Sequence, residues 1–211
     1  MGRANQKMRT RRAIIDACRE LVRTGAEVTM PEVAKLALVS EATAYRYFPD
    51  LTSLLSETLE GLWPSPADAL EPVAGSRDPA ERMAFACEFL LRGVLRYAGA
   101  VRAMISGTIT RPELASMRPG IRFGLIEAAL APFEGGLAAR DPEALGQLKR
   151  GLAVVVSAEA LFVLTDLCGL SPEEAVASAA RTAAALTAAA FGEGRADPPD
   201  ARVSRASGGR G

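Results

Sequence analysis

Two short helical patterns separated by a tight turn, between residues 29 and 48, constrain this 211-residue chain more than any other part of it. Thr29 and Glu32 have the spacing of a capping box, in which each side chain accepts from the other residue's backbone N–H. Val33, Ala34 and Ala37 continue as one apolar stripe at helical spacing. Ser40 is a second N-cap, and the helix it starts turns Ala44 and Phe48 inward. Its outer face then holds Glu41, Ala42, Thr43, Tyr45, Arg46 and Tyr47, residue types that suit base edges and phosphates. This is the pattern of a helix-turn-helix, and the usual partner of that motif is double-stranded DNA.

On these residues the chain resembles the tetracycline-repressor (TetR) family of transcriptional regulators. The resemblance rests on Ala37-Leu38-Val39-Ser40, on Thr43-Ala44-Tyr45-Arg46-Tyr47-Phe48, and on Leu51, Leu54 and Leu55 after them. It reaches back to Arg11, Ile14, Ile15, Ala17, Leu21 and Gly25. About the first 60 residues are covered, and the rest matches only in being helical and of the expected length. The resemblance implies an all-α homodimer. In it, an N-terminal three-helix domain would bind operator DNA, and a variable C-terminal helical domain would bind a small inducer.

Two positions depart from the family pattern. Leu38 stands in the turn where the family usually has glycine. If that turn needs positive φ, a leucine there costs roughly 1–2 kcal/mol. Leu51 replaces the usual lysine at the start of the fourth helix. Its loss removes one phosphate contact and flattens the salt dependence of binding by about one unit of slope.

Enzyme chemistry finds little to work with. The chain has no histidine, which removes the commonest general base, the commonest metal ligand and every Ser-His or Cys-His nucleophile. Its three lysines, Lys7, Lys35 and Lys149, lie beside no glycine-rich loop. No phosphate loop, dinucleotide fingerprint or metal-ligand cluster occurs, so no catalytic residue, cofactor or metal is expected. Cys18, Cys87 and Cys168 are odd in number, far apart and mostly set among apolar residues, as reduced core thiols of a cytoplasmic protein are. Residues 1–12 are basic and no apolar stretch of secretory length follows them, so neither a signal peptide nor a membrane partner is expected.

Net charge is zero, but it is unevenly spread. Residues 1–24 carry seven basic side chains against Asp16 and Glu20, a net of +5, and the compensating acid lies further along. A basic head on a neutral-to-acidic body suits a DNA-binding protein.

Helix signals recur along the chain. A first helix is predicted over about 6–24, with Gly25 as its stop. Asp50 caps a fourth with the stripe Leu51, Leu54, Leu55, Thr58, Leu59 and Leu62. Asp78-Pro79, Asp141-Pro142 and Ser171-Pro172 each set a capping oxygen before proline at the first helical position. Glu81 and Glu174 can then reach back to the first and third of these caps. Helices are therefore predicted at about 79–98, 142–168 and 172–191, with shorter ones at about 100–109 and 120–134. This gives a DNA-binding domain at 1–50, a linking helix at 51–63, a ligand-binding and dimerisation domain at 64–192, and a disordered tail at 193–211. Residues 151–164 are apolar nearly all round apart from Glu159, which predicts a helix buried on two sides. With the alanine-rich helix after it, it can form a four-helix dimer interface, or the alanine-rich helix can pack purely within one chain.

On DNA, Thr29 and Ser40 open helices whose free N–H groups favour a phosphate. Tyr45 and Tyr47 occupy positions that in the family commonly meet the backbone, although Tyr47 can pack against the first helix instead. Thr43 and Ala42 can touch a thymine methyl, Glu41 can accept from cytosine, and Arg46 can reach either guanine or a phosphate. A basic arm with Arg3, Lys7 and Arg9 can enter a minor groove or stay solvated. In the second domain, Trp63, Phe85, Phe89, Met104, Phe123, Ile126 and Phe162 are candidates for lining an effector pocket, or for simple core. Arg92, Arg122 and Glu127 are its candidate polar anchors. The expected function is a transcriptional regulator, a repressor released from a palindromic operator by a small hydrophobic effector. The alternative is a helical small-molecule-binding protein that no longer binds DNA.

Overall fold

Among the described residues of the computed structural model (2–25, 27–60 and 62–192, with side chains from residue 5 onward) every regular element is helical and no strand occurs. The expected tail at 193–211 lies outside them. The first helix, α1 (Gly2–Arg23), starts earlier than the pattern suggests. It is followed by α2 (Met30–Leu36) and α3 (Glu41–Tyr47). Thr29 caps α2, taking the Glu32 N–H at 3.4 Å while its own hydroxyl donates to the Glu32 carboxylate at 3.0 Å. Ser40 caps α3, taking the Thr43 N–H at 3.2 Å.

Between these helices α2 ends in a Schellman motif. The Val39 N–H donates to the Ala34 carbonyl at 3.0 Å and the Leu38 N–H to that of Lys35 at 3.2 Å. That pair of bonds requires a left-handed residue between helix and exit. Leu38 supplies it with φ +56°, and its side chain is 92% exposed, so no packing offsets the strain.

The helix α4 (Leu51–Leu59) closes the N-terminal core, bringing Leu54, Leu55 and Leu59 against Ile14, Cys18, Val22 and Phe48. Ala100 and Met104 of α7 (Ala98–Thr110) belong to the same core, so the N-terminal helices rest on an element from further along the chain.

The second core is built on α6 (Pro79–Arg96) and α11 (Pro172–Gly192). The small buried residues Ala175, Ala179, Ala180 and Ala183 let α11 lie close to Met83, Ala86 and Leu90. Around this pair stand α5 (Pro66–Ala69), α8 (Ile121–Arg140) and α9 (Pro142–Val155). The three proline-led starts expected at Asp78, Asp141 and Ser171 are capped, and Ser65 caps a fourth at Pro66. The Ala80 N–H donates to Asp78 at 2.8 Å, Ala144 N–H to Asp141 at 2.9 Å, and Glu174 N–H to Ser171 at 3.4 Å. Glu174 also takes the Ser171 N–H at 3.0 Å, which closes that box. At Asp78 the N–H goes instead to the Ser76 hydroxyl at 3.2 Å, and Glu81 accepts from that hydroxyl.

One predicted helix is three pieces. After α9 the chain turns at Val156, and Ser157 starts α10 (Ala158–Phe162) by taking the Ala160 N–H at 3.0 Å. A π turn (Val163–Leu167) follows, closed by the Cys168 N–H on the Val163 carbonyl at 3.1 Å. Ser157 has extended backbone angles and is buried, so it interrupts the apolar run as a cap.

A buried arginine holds the periphery together. Pro132 lies inside α8 and has no N–H to give the carbonyl four residues earlier, that of Ala128. Arg82, 6% exposed, donates to Ala128 O at 3.1 Å, to Ala129 O at 3.1 Å and to Val73 O at 2.6 Å. It thereby fastens α8 and the 3₁₀ turn at Glu71–Val73 to α6.

Candidate functional site

The helix α3 is two-sided. Ala44 and the following Phe48 are buried, while Ser40, Glu41, Ala42, Tyr45 and Arg46 are exposed. Thr29, Thr43 and Tyr47 are half-buried. The candidates fall beside two grooves. Thr43, Arg46 and Tyr47 share one with Gln6, Lys7 and Thr10 of α1. Thr29 and Tyr45 share the other with Pro31, Asp50 and Leu51. Tyr47 packs on the N-terminal core and carries the Arg46 guanidinium 5.8 Å above its ring. The Thr43 and Ser40 hydroxyls lie 2.9 Å apart, which ties Thr43 to the cap.

The basic head divides by role. Arg11 pairs with Glu57 of α4 and stands 4.9 Å above the Phe48 ring, so it binds α1 to α4. Arg12 and Arg19 flank Asp16 at 3.7 and 3.4 Å. Arg3, Lys7 and Arg9 lie within α1, not on an extended arm. Gln6 and Thr10 were missed in the sequence reading. They sit one helical turn apart beside Lys7, which is the signal that could have found them.

A second site lies under α4. Leu59, Trp63, Leu90, Val94, Val101, Met104, Ile105 and Ile121 form its apolar wall, and Arg118, Arg122, Ser157 and Glu159 its polar part. It has about 610 Å³ of atom-free space, open solvent included. Trp63 lies over Gly93, where an added Cβ would come within 2.2 Å of the ring. Phe89 and Tyr97 meet the indole edge-on at 6.3 and 6.2 Å.

Of the sequence candidates, Trp63, Met104 and Arg122 line this cavity, and Phe89 stands behind Trp63. Phe85 and Phe162 pack at the edge of the C-terminal core, Phe162 with Arg102 3.8 Å above its ring. Ile126 is inside that core, and Phe123 and Glu127 are exposed. Arg92 pairs with Glu173 at 2.9 Å. Arg118 and Ser157 were missed. Glu159 had a signal, as the lone charge in an apolar run.

The cavity rim is tied to α4. Arg118 follows the 3₁₀ segment Pro112–Met117, and Ser56 of α4 donates to the Met117 carbonyl at 2.9 Å. Asp50, the α4 cap, takes the Ser53 N–H at 2.7 Å and Arg111 at 3.1 Å. Burial pushes the Asp50 carboxyl up, but hydrogen bonds from Ser53 and the Arg111 charge outweigh it and hold it below its ordinary value. No group of metal-ligating side chains occurs among the described residues.

Residues 14–58 match the profile of the bacterial regulatory proteins of the tetR family. The chain is also similar to the crystal structure of a TetR transcriptional regulator from Rhodococcus sp. RHA1. Sequence identity is 25% and the TM-score 0.50, over 84% of this chain and 96% of that one. No protein of curated function matches the chain in sequence. With the family's profile over its first helices and an all-α body behind them, the chain resembles the TetR family of DNA-binding transcriptional regulators over its N-terminal domain and in its helical architecture.

Proposed function

We propose that this regulator is a homodimeric repressor that leaves a palindromic operator when a small hydrophobic effector enters the cavity beneath α4. The observation that carries the reading is the division of α3 into a buried side, Ala44 with Phe48, and an outer side on which Glu41, Ala42, Tyr45 and Arg46 are exposed among the described residues. Ser40 and Thr29 offer helix N-termini to phosphates, Tyr45 and Tyr47 offer hydroxyls, and Glu41, Ala42, Thr43 and Arg46 meet base edges. Because Lys7 and Arg9 ride on a helix of about 10 Å diameter, they address phosphates and not a minor groove about 6 Å wide.

Residues 1–50 form the DNA-binding domain, 51–63 the link and 64–192 the effector and dimer domain. Dimerisation is supported by large apolar residues left open on and after α9, Val154 at 71% and Leu167 at 81% exposed, with Val163 and Leu186 also open. Exposed apolar residues of this size on a regulator that reads two half-sites are best covered by a second copy. Effector entry moves the rim that holds Met117 and Ser56, and α4 carries that movement to the spacing of the two reading helices.

Selection of bound sequences from random DNA tests the reading, and a palindromic consensus is the expected result. Arg46→Ala and Tyr45→Phe should each weaken binding of that consensus by about tenfold or more, with the dimer intact. Unchanged affinity of both, in electrophoretic shifts at fixed salt, would remove them from the interface.

A further inference from the structure

The cavity wall holds two guanidinium groups and one carboxylate. Arg118 pairs closely with Glu159, and Arg122 reaches the other oxygen of the same carboxylate at 3.5 Å. One carboxylate cannot neutralise both, so a net positive charge faces a chamber otherwise made of Trp63, Met104 and aliphatic side chains. Both arginines are fixed by further bonds. Arg118 donates to Thr108 Oγ1 at 2.6 Å, and Arg122 to the Ala153 carbonyl at 3.2 Å.

Exposure decides which partner can leave. The Glu159 side chain is 39% exposed, against 24% for Arg118 and 23% for Arg122. An entering anion can displace Glu159 toward water while the arginines keep their places. An entering cation that claimed Glu159 would strand two guanidiniums in the wall without a carboxylate, which is the costlier arrangement.

We propose that the cavity takes a hydrophobic small molecule with one anionic head group, such as a carboxylate, which replaces Glu159 as the partner of Arg118 and Arg122. The proposal rests on the reading of this cavity as the effector site, and adds to it the chemical class of the effector. Charge-assisted, bidentate bonds from arginine supply the preference.

Trp63, the single tryptophan of the chain, lines the cavity and reports binding by its fluorescence. Full-length protein is titrated with octanoate, 1-octanol and octyltrimethylammonium, which share a tail and differ in charge. Octanoate should bind about tenfold more tightly than the other two. Arg118→Gln should remove that advantage, and Arg118→Lys, which keeps the charge without the bidentate fork, should keep part of it. Failure of octanoate to bind, equal or tighter binding of the alcohol or the cation, or an advantage that survives Arg118→Gln would each overturn the proposal. The wild-type comparison decides even where a variant does not fold.

Operator release, followed by electrophoretic shift, separates the two readings. Preference for octanoate without release upholds the ligand class and sinks the effector role. Release by all three probes alike upholds the effector role and sinks the ligand class.

Discussion

Leu38 sits in the left-handed region at φ +56° with its side chain in water, so the strain has no evident compensation in packing. Replacing it with glycine should relieve roughly 1–2 kcal/mol of native strain, partly offset by the greater freedom of glycine in the unfolded chain. Leu38→Gly is therefore expected to gain about 0.5–1 kcal/mol and to raise the melting temperature by a few degrees. A thermal melt with no gain would mean that the turn is unstrained. The cysteines give a second test at this scale. Burial pushes the thiols of Cys18 to about 11 and Cys87 to about 12, whereas Cys168 is exposed after the π turn. A disulfide reagent at neutral pH should consume one thiol quickly in the native protein and three after unfolding. Fast reaction of two or three native thiols would contradict the buried placement. The strained turn was legible in the sequence, because a leucine stood where a left-handed residue is wanted. The exposure of Cys168 was not, because its neighbours Leu167 and Leu170 make that stretch read as core.

Helix starts were the most legible elements, since a capping side chain acts within three residues of its target. Thr29, Ser40, Asp50, Asp78, Asp141 and Ser171 all cap where their local patterns place them. Residues that act across the fold were not legible. Arg82 bonds to carbonyls 46 and 47 residues away, and Arg118 meets a carboxylate 41 residues away. Neither the periodicity nor the spacing of a sequence names such partners. The break at Ser157 was missed for a related reason: the residue lies in an apolar run whose period is helical on both sides. Arg82 also gives the prediction for this scale. With Pro132 beside it, α8 depends on that guanidinium to satisfy the Ala128 carbonyl. Arg82→Met keeps much of the apolar stem and removes the donor to the buried Ala129 carbonyl and to the part-buried Ala128 and Val73 carbonyls. The expected loss is about 2–4 kcal/mol, read as a lower urea midpoint at unchanged slope. A loss below about 0.5 kcal/mol would show that water satisfies those carbonyls instead.

In the whole molecule, the N-terminal helices and the body meet along α4, and the polar ties there join segments distant in sequence. Asp50 caps α4 and holds Arg111 at the end of α7, while Ser56 holds Met117 beside the cavity rim. The proposed transfer of a signal between cavity and DNA face requires that α4 answer to both ends. Asp50 is the tie that pH can test. Its carboxyl is held below its ordinary value, so its ionic contribution to stability is fully present above the unfolded value near 4. That contribution is lost as pH falls through the lower folded value, where the native carboxyl takes up its proton. Asn at this position still caps a helix but carries no charge for Arg111. Asp50→Asn should therefore cost on the order of 1 kcal/mol at pH 7, and the two stability curves should converge as pH falls through the lowered folded value of the Asp50 carboxyl. Because the same bond joins α4 to α7, the proposed coupling of cavity to DNA face predicts that the variant also changes how far a ligand in the cavity lowers DNA affinity. Parallel stability curves down to acid would place the effect of the substitution in capping alone, and the Asp50–Arg111 contact would then contribute no ionic tie between α4 and α7.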